Sequence, residues 1–363
     1  MGVNYPNVTA MENRGDIKIS KKKLSYPVSE GLREYLKKYD RLANLSVHYE
    51  DLLRFTEHFP ILDKNDNDTL WEGVMYEYWE MKEIHAGLID IYQRLRSDGN
   101  QDAKSHLLVD SIDYCTFGNS HPFRVKIRNQ HNDIHDYFYV KKADASRIYG
   151  LELEHLLSPN RVDFLYDKET LIEEHISGIP GDEFLKYWMD GKQNERRIAK
   201  EFVKFNERCF LRLLGDQRSY NFVMVLTPDF DEVKYRIRSI DFDQQCYEGK
   251  INLYKPQFFK ENYPYVKMVM DKIEDSSIKQ YQNEERALMA KRMLVSRRRL
   301  INLLQAMKKD ELAPQEKIES LRDEIFDYLK DNQLKDCKTM GEIIEAVLNY
   351  TLRNYEDVTR IIP

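Results

Sequence analysis

The chain has only four cysteines in 363 residues, Cys115, Cys209, Cys246 and Cys337, and none falls at C-x-x-C spacing. That argues against a disulfide framework or a zinc site and predicts reduced thiols, as in a cytoplasmic protein. No stretch approaches the ~18 consecutive apolar residues that a membrane helix needs, so no transmembrane segment is expected. The opening residues, MGVNYPNVTAMENRGDIKISKKK, hold neither an apolar signal core nor a small-residue cleavage site. Gly2 lacks the Ser/Thr pattern of a myristoylation site. Basic residues are not in excess either. The 56 Lys and Arg against 62 Asp and Glu leave a net charge of -6, which argues against nucleic acid as a partner.

What is present suffices for a substantial core: 42% of the residues are hydrophobic, beside 33% charged ones that predict a heavily solvated surface. The length exceeds what a single core usually organises, so two or three domains or subdomains are expected. Residues 1–24 are polar, aperiodic and end in three lysines, which reads as a flexible tail. Residues 25–100 read as helical: Leu32, Tyr35, Leu36, Tyr39 and Leu42 recur at three- and four-residue steps, as do Met75, Tyr78, Trp79, Met81, Ile84, Leu88, Ile91 and Leu95. Between them, residues 63–68 are turn formers without the Gly and closing Glu of a calcium loop.

After residue 100 the pattern shortens. Residues 106–114, 122–128 and 136–142 are rich in Val, Ile, Phe and Tyr, and turn formers separate them, as in three antiparallel strands. A helix over 145–157 and a strand pair near 162–166 and 170–176 follow. Helices return over 182–214, then two strands over 222–226 and 234–240, and from about residue 265 the chain is helical again. An antiparallel strand-rich block passing into a helical one predicts an α+β fold.

Chemistry concentrates in Leu214-Gly215-Asp216-Gln217-Arg218-Ser219-Tyr220-Asn221 and in Ile240-Asp241-Phe242-Asp243. An Asp and an Asn five positions apart, then a second Asp after a strand pair, are the groups phosphoryl transfer needs. One carboxylate takes the proton of the nucleophile, while an amide oxygen and another carboxylate hold Mg2+ against phosphate.

These segments resemble the atypical protein-kinase-like superfamily: aminoglycoside phosphotransferase-type, HipA-like and phosphatidylinositol kinase-like branches. Gly215-Asp216-x-x-x-x-Asn221 is similar to their catalytic loop, and Ile240-Asp241-Phe242 to their Asp-Phe-Gly element. The resemblance implies a bilobal fold, with an antiparallel-sheet amino lobe over 101–177, a helical carboxy-lobe core over 178–265, and extra helices over 25–100 and 266–363. It makes Asp216 the catalytic carboxylate and Asn221 and Asp241 metal ligands, with ATP and Mg2+ as cofactors. Tyr137-Phe138-Tyr139-Val140-Lys141-Lys142 resembles the strand whose Lys neutralises the α/β-phosphates. Lys141 fits that role, with Lys142 on the other face, and the partner Glu comes from the next helix as Glu152 or Glu154, Glu152 being preferred for Leu156 one turn on. Residues 171–181 resemble the inter-lobe hinge, with backbone groups near Glu174 and Ile176 on the adenine.

Three departures stand out. The phosphate-covering loop offers one glycine, Gly118, in Cys115-Thr116-Phe117-Gly118-Asn119-Ser120. Gly215 stands where many relatives have His. Asp243 replaces the last Gly of Asp-Phe-Gly, and either holds a second metal ion or pairs with Arg218 or Arg238. The expected activity is transfer of phosphate to a hydroxyl of a small molecule or protein. The alternatives are nucleotidyl transfer from a flipped nucleotide and a non-catalytic nucleotide-binding scaffold. His131 and His135 fall in a hairpin turn and share no face, and Arg297-Arg298-Arg299 reads as a solvated helix face.

Overall fold

A computed structural model describes residues 23–96, 106–117, 120–189, 191, 193–230 and 232–360. The fold is mixed helix and sheet, and the chain separates into two compact units, each assembled from non-contiguous segments. Residues 27–144 and 162–175 make one, and residues 145–161 and 176–360, with 23–26, make the other.

The first unit is built on a seven-stranded antiparallel sheet. Helix α1 (Glu30–Lys38) starts where the Ser29 hydroxyl accepts the Leu32 N–H, and it buries Leu32, Tyr35 and Leu36. A short turn of helix, α2 (Tyr49–Leu52), leads into strands β1 (Glu57–Leu62) and β2 (Asp68–Met75). Helix α3 (Tyr78–Arg96) buries Ile84, Leu88, Ile91 and Leu95. Strands β3 (Leu107–Cys115), β4 (Phe123–Asn129) and β5 (Ile134–Lys142) form a meander. Strands β6 (Phe164–Asp167) and β7 (Thr170–Glu174) complete the sheet in the order β1-β2-β3-β4-β5-β7-β6. Val125, Ile127, Phe138, Val140 and Ile172 form a core with Ile84, Leu88 and Ile91 of α3. Inward and outward residues alternate along β4 and the central part of β5, as a half-buried sheet requires.

The expectation of helix throughout 25–100 is corrected by the β1–β2 hairpin. Its apolar residues Phe59, Leu62, Leu70 and Met75 are exposed, so no buried helical stripe forms there. Asp63 sets the turn instead, its Oδ1 accepting the N–H groups of Asn65 at 2.7 Å and Asn67 at 2.9 Å. Leu42 likewise falls outside α1 and makes a β-bridge with Tyr166.

The second unit begins with α4 (Ala145–Leu157), which the sequence grouped with the strand-rich block. The two-residue strand β8 (Ile179–Pro180), helix α5 (Glu195–Arg212), and the hairpin β9 (Phe222–Asp229) and β10 (Glu232–Ser239) follow. These strands form a small antiparallel sheet in the order β10-β9-β8. The rest is helical: α6 (Tyr263–Lys272), α7 (Asp275–Val295), α8 (Arg297–Met307), α9 (Gln315–Leu329) and α10 (Met340–Arg360). Phe202, Phe205, Phe222, Met224, Ile237, Tyr265 and Val269 form the core that joins α5, the hairpin and α6. Among the described residues, no helix is long and apolar enough to cross a membrane.

The start of α10 lies against the end of α8. A Cβ on Gly341 would stand 2.5 Å from the Met307 carbonyl and the Lys308 nitrogen, which are backbone and cannot swing aside. Gly341→Ala should therefore cost about 1–3 kcal/mol in urea unfolding. Gly31→Ala, where the new methyl group meets only the Ser29 hydroxyl at 3.9 Å, should show no loss.

Candidate functional site

Helix α5 ends because Leu213 turns left-handed at φ 51°, and the N–H groups of Leu213 and Leu214 close back on the carbonyls of Phe210 and Cys209. The next residues run beside the segment after β10. The Gly215 N–H donates to the Gln244 carbonyl at 3.2 Å, and a Cβ at 215 would crowd that same oxygen at 3.1 Å. A close backbone approach thus accounts for glycine there. Asp216 adopts φ 54°, a conformation that Asp tolerates better than most residues. A loop then closes through the Arg218 N–H on the Asp216 carbonyl (2.9 Å) and the Asn221 N–H on the Arg218 carbonyl (2.8 Å). The Asn221 amide also donates to the Asp216 carbonyl at 2.7 Å, which ties the two ends of the D-x4-N spacing together.

The hairpin register brings the second motif alongside. Ser239 lies opposite Phe222, and the Ile240 N–H donates to the Asn221 carbonyl at 3.1 Å. Asp241 therefore sits next to Asn221 although they are far apart in sequence. The Gln217 amide fastens the same place by donating to the carbonyls of Asp241 (2.9 Å) and Gly215 (3.2 Å). Sequence reasoning placed Asp216, Asn221 and Asp241 together, and the structure brings their backbones together.

Asp216 has an altered proton affinity. Burial pushes its carboxyl up to about 7, against the pull of Arg218, whose Nε donates to Oδ1 at 2.8 Å, and with a smaller push from the charge of Asp241. Arg218 also donates to Glu261 at 2.5 Å, so the guanidinium is shared between two carboxylates. The carboxyl consequently changes charge near neutral pH, the range in which a general base works best.

Asp241 and Asp243 share one cation that the sequence did not reveal. Nη1 of Arg147, from α4, donates to Oδ1 of Asp241 at 2.8 Å and to Oδ1 of Asp243 at 2.7 Å. The Asp243 N–H adds a bond to Asp241 Oδ1 at 3.1 Å. The expected salt bridge of Asp243 is thus corrected from Arg218 or Arg238 to Arg147. Arg218 turns to Asp216 and Glu261, and Arg238 donates to the Arg161 carbonyl. Among the described residues, no group of three or more His, Cys, Asp or Glu is arranged to hold a metal alone. A carboxylate and an amide oxygen are hard donors, and Mg2+ is commonly held by one or two of these together with phosphate and water. Asn221 and Asp241 fit that pattern by donor type, and Arg147 engages the Asp241 carboxylate as it does that of Asp243.

Glu152 and Glu154, the two expected partners of Lys141, are both held within their own unit. Arg299 of α8 grips the fully buried Glu152 in a fork, with contacts of 2.7 to 3.1 Å. Glu154 takes Arg212 and the Asn160 amide. In the sheet unit, Lys141 is buried and its Nζ donates to Glu173 Oε2 at 2.9 Å. Register explains the contact: Lys141 is opposite Leu171 and Tyr139 is opposite Glu173, so Lys141 and Glu173 are diagonal neighbours on one face. Lys142 is exposed and faces Glu169, as strand alternation requires. Glu174 ends β7, where its N–H donates to the Asp163 carbonyl, and Ile176 is buried just beyond. Gly118, the expected phosphate-loop glycine, lies outside the described residues.

Sequence reasoning missed Arg147, Arg299, Glu173 and Glu261. Arg147 left one signal, being the only Lys or Arg in the helical stretch Ala-Ser-Arg-Ile-Tyr-Gly-Leu-Glu-Leu-Glu-His-Leu-Leu. No family model matches the chain, and no curated protein matches its sequence.

Two stability measurements test this geometry. The Asp216 carboxyl titrates near 7 in the fold against an ordinary 3.8, so the folded state holds the proton more tightly. Stability is then lost as pH rises through the window from about 4 to 7. Asp216→Asn removes that loss. It should be more stable than wild type by about 1–4 kcal/mol at pH 8, and the two should converge below pH 4. Arg299→Met strands the Glu152 carboxylate and should cost about 3–5 kcal/mol, whereas Glu152→Met with Arg299→Met should recover most of it in the same denaturation assay.

Proposed function

We propose that the chain is an ATP- and Mg2+-dependent phosphotransferase with a bilobal kinase-like fold, the sheet unit being its amino lobe and the helical unit its carboxy lobe. The acceptor is a hydroxyl of a small molecule or a protein. The observation that carries this reading is the Asp216 carboxyl, half-buried, titrating near 7, and laced through Asn221 to the strand end that bears Asp241. A base with that affinity is half ionised at neutral pH and can take the proton of an attacking hydroxyl. Arg218 sets its orientation and keeps its charge balanced.

Asn221 and Asp241 would hold Mg2+, which supplies neutralisation of the phosphate charge as the terminal P–O bond breaks. Arg147 tethers the Asp241 carboxylate to α4 through Oδ1. In the sheet unit, Lys141 is the cation suited to the α/β-phosphates, and Glu173 holds its buried ammonium group. The proton passes from the acceptor oxygen to Asp216, the new P–O bond forms at that oxygen, and ADP leaves with the old one.

Calorimetric titration of ATP with Mg2+ should show binding to the wild type, and Asp241→Ala should lose the metal-dependent part by tenfold or more. With labelled ATP, transfer of the γ-label marks a kinase. Transfer of the α-label would instead establish nucleotidyl transfer, and absence of binding in both proteins would remove the enzymatic reading. For an active preparation, kcat/KM should rise with pH and level off above about 7, since only ionised Asp216 accepts a proton. Asp216→Asn should lower kcat by at least about 100-fold.

A further inference from the structure

Helices α7 and α8 meet at Ser296, whose N–H reaches the Arg292 carbonyl while its own carbonyl accepts from Leu300, so one residue separates two nearly continuous helices. Around this elbow the sequence runs from Ala287 to Lys309 without a single Asp or Glu, in a chain that carries 62 of them. The outward residues are of two kinds only, apart from Gln305. Leu288, Leu294, Val295 and Ile301 are exposed aliphatics, and Val295 is 82% exposed. Lys291, Arg297 and Arg298 are exposed cations, and none makes an ion pair among the described residues. The third arginine of the run, Arg299, turns inward to Glu152, which leaves Arg297 and Arg298 to face solvent.

This arrangement is unusual for a solvated face. Surface cations in this protein are commonly matched by carboxylates, as Lys204 is by Glu284 and Lys308 by Glu345. Here an aliphatic ridge is bordered by unmatched positive charge within a chain of net charge -6. We propose that the α7–α8 elbow is a docking surface for an anionic lipid bilayer, with Leu294 and Val295 entering the acyl boundary and Lys291, Arg297 and Arg298 resting on the headgroup phosphates. The chemistry selects a bilayer over nucleic acid, since residues 287–309 contain no Phe, Tyr or Trp on which bases would stack. A side chain as exposed as Val295 is suited to insertion into a soft surface. This inference is independent of the phosphotransferase reading.

The test is co-sedimentation of the full chain with vesicles of phosphatidylcholine alone and of phosphatidylcholine with phosphatidylserine, at about 0.1 M salt and again at about 1 M. Binding should be confined to the anionic vesicles and should be lost at the higher salt. Arg297→Glu with Arg298→Glu should weaken it by 25-fold or more, at about fivefold for each charge lost. Val295→Asp should abolish it, and Val295→Trp should be quenched by brominated lipid. All these positions are exposed, so circular dichroism should report an unchanged fold. Absence of binding to anionic vesicles would overturn the proposal, as would binding that the Arg297/Arg298 and Val295 variants leave intact. Preferential retention of a polyanion such as RNA, with no vesicle binding, would overturn it in favour of a nucleic-acid surface.

Discussion

A guanidinium that is almost fully buried cannot be left alone, and much of the helical unit is organised around satisfying one. Arg147 has 2% of its side chain exposed and bridges Asp241 and Asp243, two carboxylates separated by a single residue. Between them Phe242 is completely buried, and it lies against Gly150, where an added Cβ would stand 3.0 Å away. The Ile-Asp-Phe-Asp segment is therefore held against α4 both by charge, at Arg147, and by close packing, at Gly150. With that segment fixed, the Ile240–Asn221 bond and the Gln217 amide set the loop that carries Asp216. Removing one carboxylate would leave the same cation on the other, whereas removing Arg147 would leave two like charges side by side. The cation, more than either anion, holds the arrangement together.

Repeated use of buried Arg–carboxylate pairs is a second theme. Glu152 with Arg299, Glu154 with Arg212, and Glu207 with Arg286 each cross between helices of one unit. Such pairs add little net stability over apolar packing, yet a mismatched helix register would bury an unpaired charge. They therefore act against misassembly of α4, α5, α7 and α8, whose apolar faces alone would tolerate sliding.

Much of this was legible from local pattern. The alternation in Phe123-Arg124-Val125-Lys126-Ile127 and in Tyr137-Phe138-Tyr139-Val140 encodes strands because one face of the sheet is core. The closeness of Asn221 and Asp241 was legible because a hairpin converts a spacing in sequence into a register in space. The β1–β2 hairpin was not legible, since Phe59, Leu62, Leu70 and Met75 stay exposed and Val74 alone of its large apolar side chains is buried, which leaves no periodic burial signal. Partners at long range were hidden for a different reason. Glu173 reaches Lys141 through a strand pairing, and Arg147 reaches Asp243 from 96 positions away, and neither relation leaves a periodicity.

The order of segments has a consequence for how the protein comes off the ribosome. The sheet unit is complete once residue 175 has been made, because everything it needs lies before that point. Helix α4 is in the opposite situation. It emerges in the middle of the sheet unit's sequence, twelve of its thirteen residues are destined for burial, and its helical partners all come later: α5 supplies Arg212 to Glu154, and α7 and α8, which pack along it, begin only at Asp275 and Arg297. For more than a hundred residues of elongation this apolar helix has no finished home, which is several seconds at ribosomal speed. Until those helices are made, α4 is a segment suited to protection by a chaperone.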